Sequence, residues 1–233
     1  MPCILPCSTR WLAGRGVLLM NDIIKKTMEN LKKNNMAAYY VETKEEVVPL
    51  VKQLVPRGSS VSNGGSESLI QSGVFDLLES GYYDFADRRG LEGDAIRECY
   101  IKAFGCDAFF CSSNAVTENG ELYNVDGNSN RVACIVYGPK KVIMVVGINK
   151  IVPDIAAAVE RIKKISAPLN TKRLHCKTPC ESTGECISLA TGGAELCSGC
   201  KSPQRICCNY VVSAQQRHKN RINVILVGEE LGY

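Results

Sequence analysis

The chain has 233 residues, 45% hydrophobic and 22% charged, the balance of a soluble globular protein able to bury a sizeable core. Its formal charge of +4 is spread over scattered basic pairs with no aromatic stripe, which argues against a nucleic-acid surface. No apolar run approaches the roughly 20 residues of a membrane span.

Residues 1–19 show no clear periodicity, no acid and the only Trp. They have no basic region ahead of an apolar run and no small-residue cleavage site, so they do not read as a secretory signal. Met20 then precedes Asn21-Asp22-Ile23-Ile24, which opens an amphipathic helix. Gly14-Arg15-Gly16 has codons compatible with a purine-rich ribosome-binding site. The expectation is therefore that 1–19 is a non-native or disordered extension. Residues 20–233 then form the α/β domain.

Ile24, Met28 and Leu31 recur at helical spacing and predict a helix over 22–34. A strand follows at 36–41. Thr43 and Glu46 have capping-box spacing and predict a helix to about residue 55. Residues 59–62 read as a strand running into Asn63-Gly64-Gly65 and a helix from Ser66. A strand at 82–85, a helix at 94–104 and a strand at 108–112 continue the alternation of a mainly parallel sheet. The pattern then changes. Segments 121–125, 131–137 and 141–147 read as strands with short connections, a β-meander. Pro153 suits the first turn of a helix that carries Ile155, Val159 and Ile162 on one side. Residues 222–227 (INVILV) form an apolar strand that must return to the main sheet. The architecture expected is three-layer α/β/α, a mainly parallel sheet plus a β-meander, with residues 175–209 as a cysteine-rich excursion.

Three polar segments are candidates for binding. Asn63, Gly64, Gly65 and Ser66 join a strand to a helix. Glycines there admit a ligand to the backbone, and the helix start favours an anion; a tight turn capped by Ser66 explains the same residues. Asn114, Thr117 and Glu118 leave the end of a parallel strand, where ligands of open α/β sheets bind. Glu118 is the candidate general base, with Asn114 and Thr117 orienting a substrate; the bland alternative is a polar loop before a hairpin. Asn130 and Arg131 supply a possible carboxylate or phosphate clamp, or a hairpin loop with one flanking salt bridge. Lys150 is a further possible cationic contact, or a surface lysine.

The 13 cysteines include six between residues 180 and 208: Cys180, Cys186, Cys197, Cys200, Cys207 and Cys208. The odd total and the lack of a signal peptide argue for a reducing, cytoplasmic setting and against disulfides. Cys99, Cys106, Cys111, Cys134 and Cys176 lie mostly in apolar stretches and read as small core residues. In the cluster, Gly184, Gly192, Gly193, Gly199 and Pro203 supply the bends needed to wrap a metal. Thiolates at this density suit Zn²⁺ or an iron–sulfur cluster alike. Free or redox-active thiols are the alternative.

Taken together, SNGGSESL, SNAVTENGELYNVDGNSNR, YGPKKVIMVVGINKIVPD and APLNTKRL resemble the lactate-utilisation (LUD) domain family, which is similar to lactate utilisation protein C. The resemblance covers about 21–233. Some members carry a cysteine stretch similar to the one here, and the match falls on Cys180, Cys186, Cys200 and Cys207. Residues 187–199 look like a local expansion containing Cys197, and Cys208 is surplus. The resemblance implies a fold like that of ribose-5-phosphate isomerase, glucosamine-6-phosphate deaminase and CoA transferases, with the ligand over strand ends against Asn63 to Ser66. It also implies a place in L-lactate oxidation to pyruvate beside redox-protein partners that carry iron–sulfur centres. The aspartate-rich isomerase motif is missing, so isomerase activity is not implied. Three functions follow as expectations. One is a component of organic-acid oxidation that binds a small anionic metabolite. The second is an iron–sulfur electron-transfer or redox-sensing module. The third is a zinc-stabilised binding protein without catalysis.

Overall fold

The computed structural model describes residues 9–193 and 195–233. In chain order the strands are Ala37–Val41 (β1), Ser60–Asn63 (β2), Asp84–Phe85 (β3), Ala108–Cys111 (β4), Ala115–Thr117 (β5), Leu122–Asp126 (β6), Lys141–Gly147 (β7), Ile151–Val152 (β8), Asn209–Ser213 (β9) and Ile222–Val227 (β10). The helices are Thr9–Lys33 (α1), Val47–Leu54 (α2), Glu67–Gln71 (α3), Val74–Glu79 (α4), Gly93–Phe104 (α5), Asn130–Val136 (α6), Ile155–Arg161 (α7), Ala167–Arg173 (α8) and Pro179–Thr183 (α9).

The main sheet has six strands in the order β1-β10-β7-β4-β2-β3, all paired in parallel. Its strands are apolar on both faces because helices cover both. Phe109, Cys111, Val142, Met144, Ile222 and Val224 pack on one face with Ile24 and Leu31 of α1, Ala103 of α5, and Cys134 and Ile135 of α6. Their alternate neighbours Ala108, Phe110, Ile143, Val145 and Ile225 pack on the other face with Val47, Val51, Leu69, Val74 and Leu77 of α2, α3 and α4. This period of two gives the three-layer α/β/α arrangement. Residues 222–227 return to the main sheet as expected, and β10 sits inside it between β1 and β7.

A second sheet, β8-β5-β6-β9, lies beside the first. Ala115, Tyr123 and Val152 pack there against Ala158 and Ile162 of the helical run after Pro153. Asp154 caps that run by accepting from the Ala157 N–H at 2.8 Å. α7 passes through a wide turn at Ile162–Ser166 into α8. The cysteine-rich segment docks here: Cys186 N–H donates to the Lys163 carbonyl at 3.0 Å, and β9 pairs antiparallel with β6.

The structure corrects several expectations. Residues 131–137 are helical, not a strand. Ser129 turns the chain at a φ of 68°, and the Asp126 carboxylate accepts from the Ser129 and Val132 N–H groups at 3.1 and 3.2 Å. That closes the first turn of α6, whose Val132, Cys134 and Ile135 are buried while Val136 is exposed. The meander therefore does not form: β6 belongs to the second sheet and β7 to the main one. Strand β5 falls in a segment read as loop, and β9 begins where the expected cysteine excursion ends, in a stretch for which no strand was expected. The strand expected at 82–85 shortens to Asp84–Phe85. The capping box at Thr43 is absent. Glu46 instead accepts from the Glu42 N–H at 2.9 Å, and α2 begins only at Val47 after a tight turn. Helix α1 starts at Thr9, well before the predicted start at 22. Residues 1–8 of the expected extension lie outside the described residues.

Candidate functional site

Parallel strands place β2, β4 and β7 with their carboxyl ends on one side of the sheet, the usual ligand side of such folds. Segments leaving these ends, with α8, the 203–206 stretch and the C-terminal Tyr233, enclose an open basin of about 560 Å³. Gly65, Ser66, Asn114, Asn130, Arg131 and Lys150 line it.

Arg131 is held deep in its wall. Its guanidinium donates to the Ser112 carbonyl (3.2 Å), Asn124 Oδ1 (2.7 Å), Asn114 Oδ1 (2.8 Å) and the Val125 carbonyl (2.7 Å). The Asp126 carboxylate lies 3.8 Å from its Nε. These partners take both Nη groups and Asp126 faces Nε, so Arg131 is a strut of the basin and not a clamp held open for a ligand. Gly64 serves the same strut. A Cβ there would come within 2.8 Å of Arg131 Cδ, so the glycine makes room for an arginine stem. Asn63 is buried beneath, its amide donating to the Gly64 carbonyl at 3.2 Å.

Lys150 is 3% exposed and reaches the basin from the turn after β7. Its ammonium donates to Ser68 Oγ at 2.8 Å and Ser112 Oγ at 3.1 Å. Burial, followed by the nearby Arg161 and Arg131, brings its pKa from the ordinary 10.5 down to about 7; Glu67 opposes this weakly. At the opening, a Cβ on Gly65 would lie 3.3 Å from Arg88 Nη2 and 3.8 Å from Arg173 Nη2. Arg88 is anchored through Nη1 to the Asn63 carbonyl at 2.7 Å. Arg173 donates to Asn170 Oδ1 and to the Tyr233 hydroxyl at 2.8 Å, and lies 3.5 Å from the Glu67 carboxylate. The nearby acids are thus engaged, Asp126 with α6 and Arg131, and Glu67 with Arg173. The basin is cationic.

Thr117 and Glu118 do not reach it. Glu118 lies four residues beyond Asn114, and each extended residue carries the chain about 3.3 Å along β5. The Glu118 carboxylate is ion-paired with Lys26 of α1 at 2.9 Å, and its carbonyl accepts from Asn30 at 2.8 Å. The Thr117 hydroxyl is buried and donates to the Glu121 carboxylate. A general-base role for Glu118 in this basin is therefore corrected. The residues missed were Ser68, Arg88, Ser112, Arg173 and Tyr233. Arg173 and Asn170 stood in APLNTKRL, so that motif carried a usable signal; Arg88 had no local pattern to mark it.

A second site lies behind the basin. Cys180, Cys186, Cys200 and Cys207 line one small, mainly apolar cavity with Ile162, Leu196 and Tyr210. Cys197 and Cys208 do not line it and are exposed. Among the described residues, no three His, Cys, Asp or Glu side chains converge closely enough to hold a single ion. Arg205 organises the loop. Its guanidinium donates to the carbonyls of Cys207 (2.8 Å), Cys200 (3.0 Å) and Leu196 (3.0 Å) and to the Tyr210 hydroxyl (3.2 Å). Lys163 is buried at the cavity wall, donating to the Gly193 carbonyl. Burial pushes the Cys207 thiol up, while Arg205 draws it down. Burial, ahead of the charges of Tyr210 and Cys207, raises the pKa of the Tyr123 hydroxyl, which has no hydrogen-bond partner among the described residues. A small further cavity lies against both: Asn170 and Ile206 line it together with the basin, and Ile162 and Cys207 line it together with the cysteine cavity. Cys106, Cys111 and Cys134 are buried core residues, with burial pushing the Cys111 thiol up to about 12.

Among the described residues, no helix is long and apolar enough to cross a membrane. No curated protein matches the chain. It is similar to the crystal structure of a DUF162 family protein from Deinococcus radiodurans, with 13% identity, 89% of this chain and 98% of that chain covered, and a TM-score of 0.49. The model of the LUD domain matches residues 24–227, nearly the whole of the fold described above, and the chain belongs to the LUD domain family.

Proposed function

We propose that this LUD domain protein is a component of organic-acid oxidation, L-lactate to pyruvate, and that it binds a small anionic metabolite in the basin. One observation carries the reading: Lys150, Arg88 and Arg173 face one basin at the carboxyl ends of parallel strands while the adjacent carboxylates are already paired. Carboxylate or phosphate groups match that charge, and each charge-assisted hydrogen bond contributes about 1.5–3 kcal/mol. Calorimetric titration with lactate, pyruvate and inorganic phosphate tests it. Arg88→Ala and Arg173→Ala are each expected to weaken binding about tenfold or more. Wild-type protein that binds none of the three anions at millimolar concentration would remove the reading.

We also infer that Cys180, Cys186, Cys200 and Cys207 hold an iron–sulfur cluster or Zn²⁺. The supporting observation is that these four thiols line one cavity, flanked by Lys163 and Arg205, cations that offset thiolate charge. Zinc draws all its thiolates to about 2.3 Å. Four cysteines around one cavity also suit the larger core of a cluster. A cluster there would supply electron-transfer chemistry beside the basin, since Cys207 adjoins Ile206 of the basin wall, towards redox partners of the same oxidation. Protein purified without oxygen should contain iron and sulfide with visible absorption, and Cys200→Ser should lose both. Colourless protein with stoichiometric zinc would make the site structural. Metal-free protein with an ordered loop would leave the thiols as redox or core residues.

A further inference from the structure

Lys150 has no carboxylate within ion-pairing distance among the described residues, unusual for a lysine this buried. Its surroundings explain why none is needed. The Ser68 hydroxyl donates its proton to the Leu231 carbonyl at 3.2 Å, and the Ser112 hydroxyl donates to the Ser113 carbonyl at 3.3 Å. Both oxygens can therefore only accept from Nζ, and they do so at 2.8 and 3.1 Å. A neutral amine has two N–H donors and one lone pair. Two serine oxygens satisfy the donors and leave the lone pair unused, on a side chain that lines the basin. The site is thus built for an amine as well as for an ammonium, and burial beside Arg161 and Arg131 favours the amine near neutral pH.

An uncharged lysine amine facing a cationic pocket is the arrangement that carbonyl chemistry requires. Arg88 and Arg173, which meet beside Gly65 on the rim of the same basin, supply the cations for a carboxylate. We propose that Lys150 holds a 2-oxo acid in this basin as a reversible imine. The amine lone pair adds to C2, a C–N bond forms and the carbonyl π bond opens to a carbinolamine. One nitrogen proton passes to the new alkoxide oxygen and the second follows through solvent in the open basin, so the hydroxyl leaves as water and the C=N bond forms. The sum is amine plus 2-oxo acid giving imine plus water, with no oxidant or reductant. Hydrolysis returns the acid unchanged. A 2-hydroxy acid of the same charge binds the rim but forms no bond, so the site distinguishes the oxidised from the reduced member of such a pair.

This inference rests on the anion reading of the basin, and its test separates the two. Wild-type protein is incubated with pyruvate and cyanoborohydride, then analysed by intact mass and peptide mapping. The expected product is one adduct per chain, heavier by one pyruvate and two hydrogens less one water, on Lys150. Lactate in place of pyruvate gives no adduct but competes with its formation. Lys150→Met, with its fold checked by circular dichroism, abolishes the adduct, and Ser112→Ala slows it several-fold. Labelling scattered over surface lysines, unchanged in Lys150→Met, overturns the proposal. So does an unlabelled protein; if lactate and phosphate still bind it by calorimetry, only the covalent step fails, and if they do not, the anion reading fails with it.

Discussion

At the scale of single residues, Lys150 couples the basin to stability. Its pKa falls from 10.5 in a free chain to about 7 in the fold, chiefly through burial. Between those pH values the unfolded chain binds more protons than the folded one, so stability contributed through Lys150 rises with pH from about 7 to about 10. Below pH 7 the full cost of burying the ammonium is present, a few kcal/mol at about 1.4 kcal/mol per pKa unit. Lys150→Met leaves Ser68 and Ser112 bonded to their carbonyl partners. Urea unfolding should therefore find the variant more stable than wild type at pH 6, with the difference shrinking towards pH 10. A variant equally steep in pH would place the titration elsewhere. The same scale shows what local sequence conceals. Arg131 and Lys150 were both legible as cations near strand ends, but their roles depend on what surrounds them. Asn114, Asn124 and two carbonyls take both Nη groups of Arg131, whereas among the described residues only hydroxyls hydrogen-bond the Lys150 ammonium. Glu118 has the right chemistry for a base, but β5 carries it away from the basin to Lys26.

At the scale of elements, strands between helices were legible because alternation and turn residues agree, as at β2, β4 and β10. Residues 131–137 were not. Their apolar, β-branched run is compatible with a buried strand, and the choice falls to Asp126 and Ser129, whose capping contacts exist only once β6 has formed. Strand β9 was hidden for a related reason: it pairs with β6, more than eighty residues earlier, and only its exit from the cysteine loop makes that pairing possible. Besides its docking contacts, the loop is tied together internally by one side chain. Arg205 gathers carbonyls from Leu196, Cys200 and Cys207, and a Cβ on Gly199 would stand 3.2 Å from its guanidinium carbon. Arg205→Lys keeps the charge but not the planar fork, so the three carbonyls cannot all be bonded in this geometry. Hydrogen exchange over 196–208 should rise at least tenfold in the variant while β4 and β7 stay protected. Unchanged exchange would mean that the loop is fixed by other contacts. Because Arg205 and Ile206 also line the basin, the same variant is expected to weaken lactate or phosphate binding.

At the scale of the molecule, the chain closes its main sheet late. β10 pairs with β1 on one side and β7 on the other, so the sheet joins the two ends of the fold through a strand from the last residues. α1 covers the sheet face formed around β10. Its described contacts all follow Met20: Ile24 and Leu31 enter the core, Asn30 and Asn34 bond carbonyls of residues 118–120, and Lys26 pairs with Glu118. A chain beginning at Met20 keeps every one of these contacts. It also keeps nearly four turns of helix up to Lys33, at about 3.6 residues per turn, held by tertiary packing and not by length alone. The expected result is a thermal midpoint within about 2 °C of the full chain, since for a protein of this size 1 kcal/mol moves the midpoint by roughly 2–4 °C. Lactate or phosphate binding should also be unchanged, because the basin is built from β2, β4, β7 and α8 on segments that the deletion does not touch. A midpoint lowered by several degrees would show that residues before Met20 stabilise the sheet face under α1, and the core would then extend beyond Ile24.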